Sequence, residues 1–298
     1  IVRLRARLAD RAPATEAEAQ EIILARGGLR ADKSWNKAQY SNPDAGAPKK
    51  GEDDFGVKGY DSFWLASGDT FARVKGELRS SFIVDPPNGQ APYSDPAKVA
   101  KEQALRARTY ALGDADYDGP EATTISERCI IGFSSTGGPG MLNAGYNNNY
   151  QFVQTQDHLM VLVEMAHDAR IIPIFASAEK AKANHKPAAI MPWLGDSVAW
   201  WEGDTLVAET TGVNPKQGVA SSFRISPTGT VTERFTRLGQ DEVFYEFIVN
   251  DPVYYTRPWK AELSFHPQSR VYEYACHEGN YGLEGILMGA RLQERAKK

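Results

Sequence analysis

Between Tyr146 and His277 the chain repeats one pattern: a short run rich in Val, Ile, Phe, Tyr, Trp and Thr, then a turn signal. The runs are YNNNYQFVQT, HLMVLVEMA, ARIIPIF, DSVAWW, DTLVAETTGV, TVTERFTRLG, EVFYEFIVN, KAELSFHP and RVYEYACH. Residues of this kind suit a pleated, half-buried surface, and Glu202-Gly203-Asp204, Pro227-Thr228-Gly229 and Gly239-Gln240-Asp241 stand where a reversal is needed. Short links make successive strands antiparallel neighbours, because a parallel pair needs a crossover of about a dozen residues or more. The expected fold is therefore mainly β: an antiparallel up-and-down, lipocalin-like barrel of about eight to nine strands, wide enough for one small ligand. An antiparallel sandwich built from the same strands is the alternative.

Residues 1–59 read as a helical and loop extension. Thr15 can cap a helix with Glu16 and Glu18 in its first turn and an apolar stripe at Ile22, Ile23 and Leu24, stopped by Gly27-Gly28. The span 60–298 reads as one β-barrel domain. FARVKGELRSSFIVDPP supplies early strands, and Asp95 and Pro96 open a helix reaching Leu112. Leu283, Ile286, Leu287, Ala290 and Leu292 predict an amphipathic C-terminal helix packed on one barrel end.

Composition removes several functions. With 34 Lys+Arg against 38 Asp+Glu among 298 residues, the net charge of −4 gives no broad footprint for nucleic acid. Apolar runs such as Leu159 to Val163 fall far short of the ~20 residues that span a bilayer as a helix. The glycine-rich stretch GFSSTGGPG has neither the spacing nor the lysine of a phosphate loop, and no GxSxG elbow occurs. The histidines, His158, His167, His185, His266 and His277, never stand two or four apart, so no metal site is expected. No cofactor is expected either, the partner is a small molecule, and self-association into a homo-oligomer stays open. Cys129 and Cys276 are either a disulfide or two buried thiols.

Two clusters could carry chemistry. Tyr146, Asn147, Asn148, Asn149, Tyr150 and Gln151 lead into a strand, and three successive amides put polar groups on both faces, so one should point inward and need a partner. The bland reading is a surface Asx turn. A hairpin turning at Gln156-Asp157 would return Glu164, His167, Asp168 and Arg170 to the same level. Both faces of that returning strand are apolar until Glu164 and His167 interrupt them, and a buried charge there is costly unless paired. Either Arg170 simply pairs with Glu164 or Asp168, or His167 is an acid–base group oriented by Asp168, with Arg170 stabilising an anion. In the second cluster Arg257 and Trp259 flank Pro258, side chains that pair with carboxylates and stack on planar ligands.

The motifs SFIVDPPNG, ERC, YNNNYQ, HDAR, WLGDS, WWEGDTLV, ERFTR, YTRPW and YEYACHEGNYGL, between Arg79 and Arg291, resemble a large bacterial family mostly described as hypothetical exported proteins. Within it the chain is similar to cofactor-independent enzymes of sphingomonads that open phenylcoumaran-type lignin dimers to stilbenes, releasing formaldehyde or carbon dioxide. The first 78 residues carry none of these motifs. The resemblance implies a carbon–carbon lyase acting on a small aromatic substrate. Such chemistry needs a base for a phenol, an acid for a departing phenoxide and a dry aromatic cavity. The expected assignment gives proton transfer to His167 (with Asp168) and Glu164, phenolate stabilisation to Tyr146 and Arg170, and substrate positioning to Asn147, Asn149, Tyr150, Gln151, Arg257 and Trp259. The competing class is a non-catalytic, lipocalin-like carrier of aromatic or lipidic compounds. A Cys129–Cys276 disulfide would imply export, so the expectation is a periplasmic or otherwise exported protein, with the cytoplasm as the alternative; the opening on Ile1 rather than Met fits a trimmed chain as well as a removed signal peptide.

Overall fold

The computed structural model describes residues 17, 72–79, 81–102, 104 and 117–296 apart from 133, 134, 145, 221 and 269. The predicted N-terminal helix, and the distal part of the helix expected to reach Leu112, lie outside the described residues.

Eleven strands are present among them. A small hairpin comes first, β1 (Ala72–Val74) and β2 (Glu77–Arg79), turning through Lys75-Gly76. Then follow β3 (Ile83–Asp85), β4 (Tyr150–Gln154), β5 (His158–Val163), β6 (Ala169–Phe175), β7 (Asp196–Glu202), β8 (Thr205–Thr211), β9 (Thr230–Arg237), β10 (Val243–Asn250) and β11 (Trp259–Phe265). Short helices α1 (Ala178–Ala183) and α2 (Pro215–Ala220) interrupt the series, and α3 (Tyr281–Ala296) follows it. Asp95 caps a helical stretch at 96–102 by accepting from Lys98 N, as its sequence suggests.

β3 to β11 form one nine-stranded sheet in the order β3-β11-β10-β9-β8-β7-β6-β5-β4. The fold is mainly β as expected, but the sheet is mixed and open rather than a closed antiparallel barrel. β6 and β7 run parallel, pairing Ile174 with Ala199 and Phe175 with Trp200. The link that carries α1 from Phe175 to Asp196 is long enough for the crossover that parallel strands require. RVYEYACH, expected as a ninth barrel strand, is not a strand, so β3 takes the outer place beside β11 instead.

The open sheet folds over on itself. β5 pairs with β6 from His158↔Pro173 to Leu162↔Ala169, and only the last two residues of β6 reach β7. Pro173 has no N–H to donate, so the ladder changes partner beside it. The three strands β4, β5 and β6 then face β9, β10 and β11: the Phe152 ring lies 5.9 Å from Phe235 and 5.4 Å from Phe265. Alternation dictates the filling. Leu159, Val161 and Val163 of β5 meet Val231 and Phe235 of β9, Tyr245, Phe247 and Val249 of β10, and Ala261 and Leu263 of β11. Phe247, Trp259 and Phe223 stack with centroids 5.1–5.7 Å apart, each ring contributing roughly 1.5–3 kcal/mol through burial.

Cys129 and Cys276 are bonded, closing a sequence separation of 147. The bond fixes the segment before α3 to the loop around residue 129. Asn280 Nδ2 donates to Glu127 O, and Arg291 donates to Asp118 O and Tyr117 O, so α3 is anchored to residues 117–129 rather than to a barrel end.

Candidate functional site

The residues expected to form one site are divided among a sealed core network, a turn and two clefts.

The sealed network starts from β9. Its buried face reads Val231, Glu233, Phe235, so strand alternation drives a carboxylate into the core. Glu233 is fully buried and so must find partners. Arg170 of β6, also buried, reaches it with both terminal nitrogens; Tyr245 Oη donates at 2.6 Å and Gly140 N at 3.2 Å. Burial pushes the Glu233 carboxyl up, but Arg170 and these donors outweigh it and hold it below the usual carboxylate range. Ser197 and Thr210 accept from Arg170 Nη2, and Met141 N donates to the Tyr245 hydroxyl. The loop 137–141 can close over this network because Gly138 and Gly140 present no side chain to it. Gly138 has φ +80°, and a Cβ on it would lie 2.6 Å from Arg170 Nη1. Arg170 is therefore already neutralised by Glu233; it does not pair with Glu164 or Asp168, and it is not placed as a free phenolate stabiliser.

The three amides separate. Asn147, with φ +50°, points inward and its Nδ2 donates to the buried Glu164 Oε1 at 2.8 Å. Asn148 closes a turn onto Ala144 through both side-chain atoms. Asn149 N donates to Glu164 Oε2 and Asn149 O accepts from Glu164 N. Glu164 thus fastens two chain segments where β5 ends. Both of its carboxylate oxygens are engaged in these bonds, and Tyr146 packs against the main core.

β5 stops at a tight turn in which Ala166 and His167 have positive φ, and His167 is exposed. Asp168 does not orient it; Asp168 Oδ2 accepts from Gly132 N at 2.7 Å. Burial raises the Asp168 carboxyl to about 6, against the smaller opposing effects of the Gly132 N–H and the His167 ring. Asp168 borders a cleft of about 390 Å³ with Ile131, Ile171, Trp193 and Leu194.

A second cleft, of about 720 Å³, opens between the start of β4 and the facing ends of β10 and β11. Phe82, Tyr150, Phe152 and Phe265 form its aromatic lining, and Asn149, Gln151, Glu242, His266 and Arg270 supply its polar groups. The Tyr150 and Phe265 rings meet edge-on at 5.3 Å. Tyr150 Oη donates to Thr136 O, and burial raises its pKa, so the phenol keeps its proton. His266 Nδ1 lies 3.0 Å from Asp241 O. A carbonyl only accepts, so Nδ1 carries the proton and the neutral ring keeps its basic lone pair on Nε2. Beside it Glu242 accepts from Ser264 Oγ at 2.6 Å and from Lys75 N; chiefly the Ser264 bond holds its carboxyl below the ordinary range.

Of the remaining expected residues, Arg257 pairs with Asp85 at 2.9 Å on the surface, and Trp259 is a core ring 2% exposed. Neither lines the 390 Å³ or the 720 Å³ cleft. Among the described residues no group of three or more His, Cys, Asp or Glu is placed to hold a metal ion. His266, Glu242, Glu233 and Tyr245 were missed by sequence reasoning. For Glu233 the signal existed, since it shares a strand face with Val231 and Phe235. No local signal marks His266, whose partner lies 25 residues away. Neither a family model, nor a curated protein, nor a solved structure matches this chain.

Proposed function

We propose that the chain is a cofactor-independent lyase that opens a phenylcoumaran-type aromatic dimer to a stilbene in the 720 Å³ cleft, with His266 as its base. The observation that carries this reading is the meeting of an aromatic lining with an imidazole whose tautomer is fixed by Asp241 O. The volume lies within the range that encloses ligands of this size.

The parts fit the chemistry in sequence. His266 Nε2 takes the proton of a para-phenol, and the phenolate expels the benzylic ether oxygen to give a quinone methide. The Cβ–Cγ bond then breaks, its electron pair rearomatising the ring and forming the stilbene double bond. A γ-alcohol leaves as formaldehyde and gives up its hydroxyl proton; a γ-acid leaves as carbon dioxide. The protons released return to the two phenolic oxygens. Asn149, Gln151 and Arg270 offer donors to phenolate charge, and Tyr150, Phe152 and Phe265 offer apolar faces to the ring system. The Cys129–Cys276 disulfide fits an exported protein.

The test is incubation of the purified chain with each enantiomer of a phenylcoumaran dimer bearing a γ-alcohol or γ-acid, recording stilbene absorbance and formaldehyde. Stilbene from one enantiomer, undiminished by a chelator, is expected. Saturable binding of the dimer by calorimetry without any product would overturn the lyase in favour of a non-catalytic aromatic carrier.

A further inference from the structure

We infer that the smaller cleft, beside Asp168, is a second binding site, and that it takes an organic cation with an aromatic body. Ile131, Ile171, Trp193 and Leu194 supply the apolar part of its lining, and Asp168, whose carboxyl lies with the Leu194 side chain beside Gly137, shares the lining with Lys186, Asp196 and Ser197. The other charges around it are already matched. Arg170 is held by Glu233, and Lys186 Nζ lies 3.0 Å from Asp196, which also accepts from Lys186 N and contacts His185 Nδ1. Asp168 accepts one hydrogen bond, from Gly132 N, and among the described residues no cation lies within ion-pair distance of it. His167, next along the chain and exposed, exerts only the smallest of the effects on its carboxyl.

The cleft therefore carries one uncompensated carboxyl beneath an aromatic and aliphatic wall. An ammonium group supplies the missing charge, and an aromatic ring fills the space beside Trp193. Such a ligand favours the ionised carboxylate, so binding must expel a proton wherever Asp168 is still protonated. That makes affinity rise with pH through about 6 and level off above it. The site is independent of the lyase reading, which concerns the other cleft.

Calorimetric titration of the whole chain with benzylamine and with benzyl alcohol, in two buffers of different ionisation heat, separates the outcomes. Benzylamine is expected to bind with proton release near pH 6, and Asp168→Asn to weaken it at least tenfold. Equal affinity for benzyl alcohol, amine binding without proton release, or no amine binding would each overturn the inference. The wild-type proton release decides the matter even if the Asp168 variant does not fold.

Discussion

Two carboxylates, the buried Glu233 and the half-buried Asp168, have opposite electrostatic outcomes. Glu233 has no exposure at all, yet an arginine, a tyrosine hydroxyl and a backbone N–H keep it ionised. Asp168 is less deeply buried, accepts one backbone N–H, and its carboxyl is raised to about 6. Depth of burial does not decide whether a carboxylate is free for chemistry. The number and charge of its donors do. The core around Glu233 gives its carboxylate four donors, two from Arg170, one from Tyr245 and one from Gly140, whereas the cleft around Asp168 leaves its carboxyl undersupplied.

The most severe way to break this contrast is Arg170→Met, which leaves Glu233 buried without its cation. A loss of about 3–5 kcal/mol is expected by urea denaturation, with much of it regained in Arg170→Met/Glu233→Gln. Tyr245→Phe removes one donor from Glu233 and the acceptor of Met141 N, and should cost about 1–3 kcal/mol in the same assay.

The two carboxyls also predict pH dependences of opposite sign. Glu233 is held low in the folded state, so its contribution is present above the ordinary carboxylate value and lost as pH falls. Asp168 is held high, so the folded state binds its proton more tightly than the unfolded chain. Its contribution is present at low pH and lost as pH rises through about 6. Asp168→Asn should therefore be more stable than wild type at neutral pH, the difference closing toward pH ~4. Denaturation curves across that range check the sign; a difference that widens on acidification would refute the assignment.

Much of the strand inventory was legible because alternation of apolar residues is a local property. The runs around β4 to β11 declare themselves, as does the hairpin at Thr155–His158, and α3 spans Tyr281–Ala296 where its apolar spacing predicts a helix. Closure was not legible. Whether β6 and β7 run parallel depends on how the long link between Phe175 and Asp196 crosses, and alternation is the same in either direction. The site shows the same division. Asn147 does find an inward partner in Glu164, because an amide on an apolar level needs one. His167 does not continue the apolar strand face, because the chain leaves the strand at Val163 and turns with positive φ at Ala166 and His167. His266 acquires its fixed tautomer from a carbonyl on the neighbouring hairpin end, a contact made by tertiary folding alone.

That exchange of one histidine for another is the sharpest point of the account. The decisive measurement is stilbene formation from the reactive phenylcoumaran enantiomer by His266→Ala and His167→Ala, side by side with wild type. Removal of the base should lower kcat about 10²-fold or more in His266→Ala. His167→Ala should stay within about threefold of wild type, a difference of ~0.65 kcal/mol. Full activity in His266→Ala with loss in His167→Ala would contradict it and return the chemistry to the turn after β5.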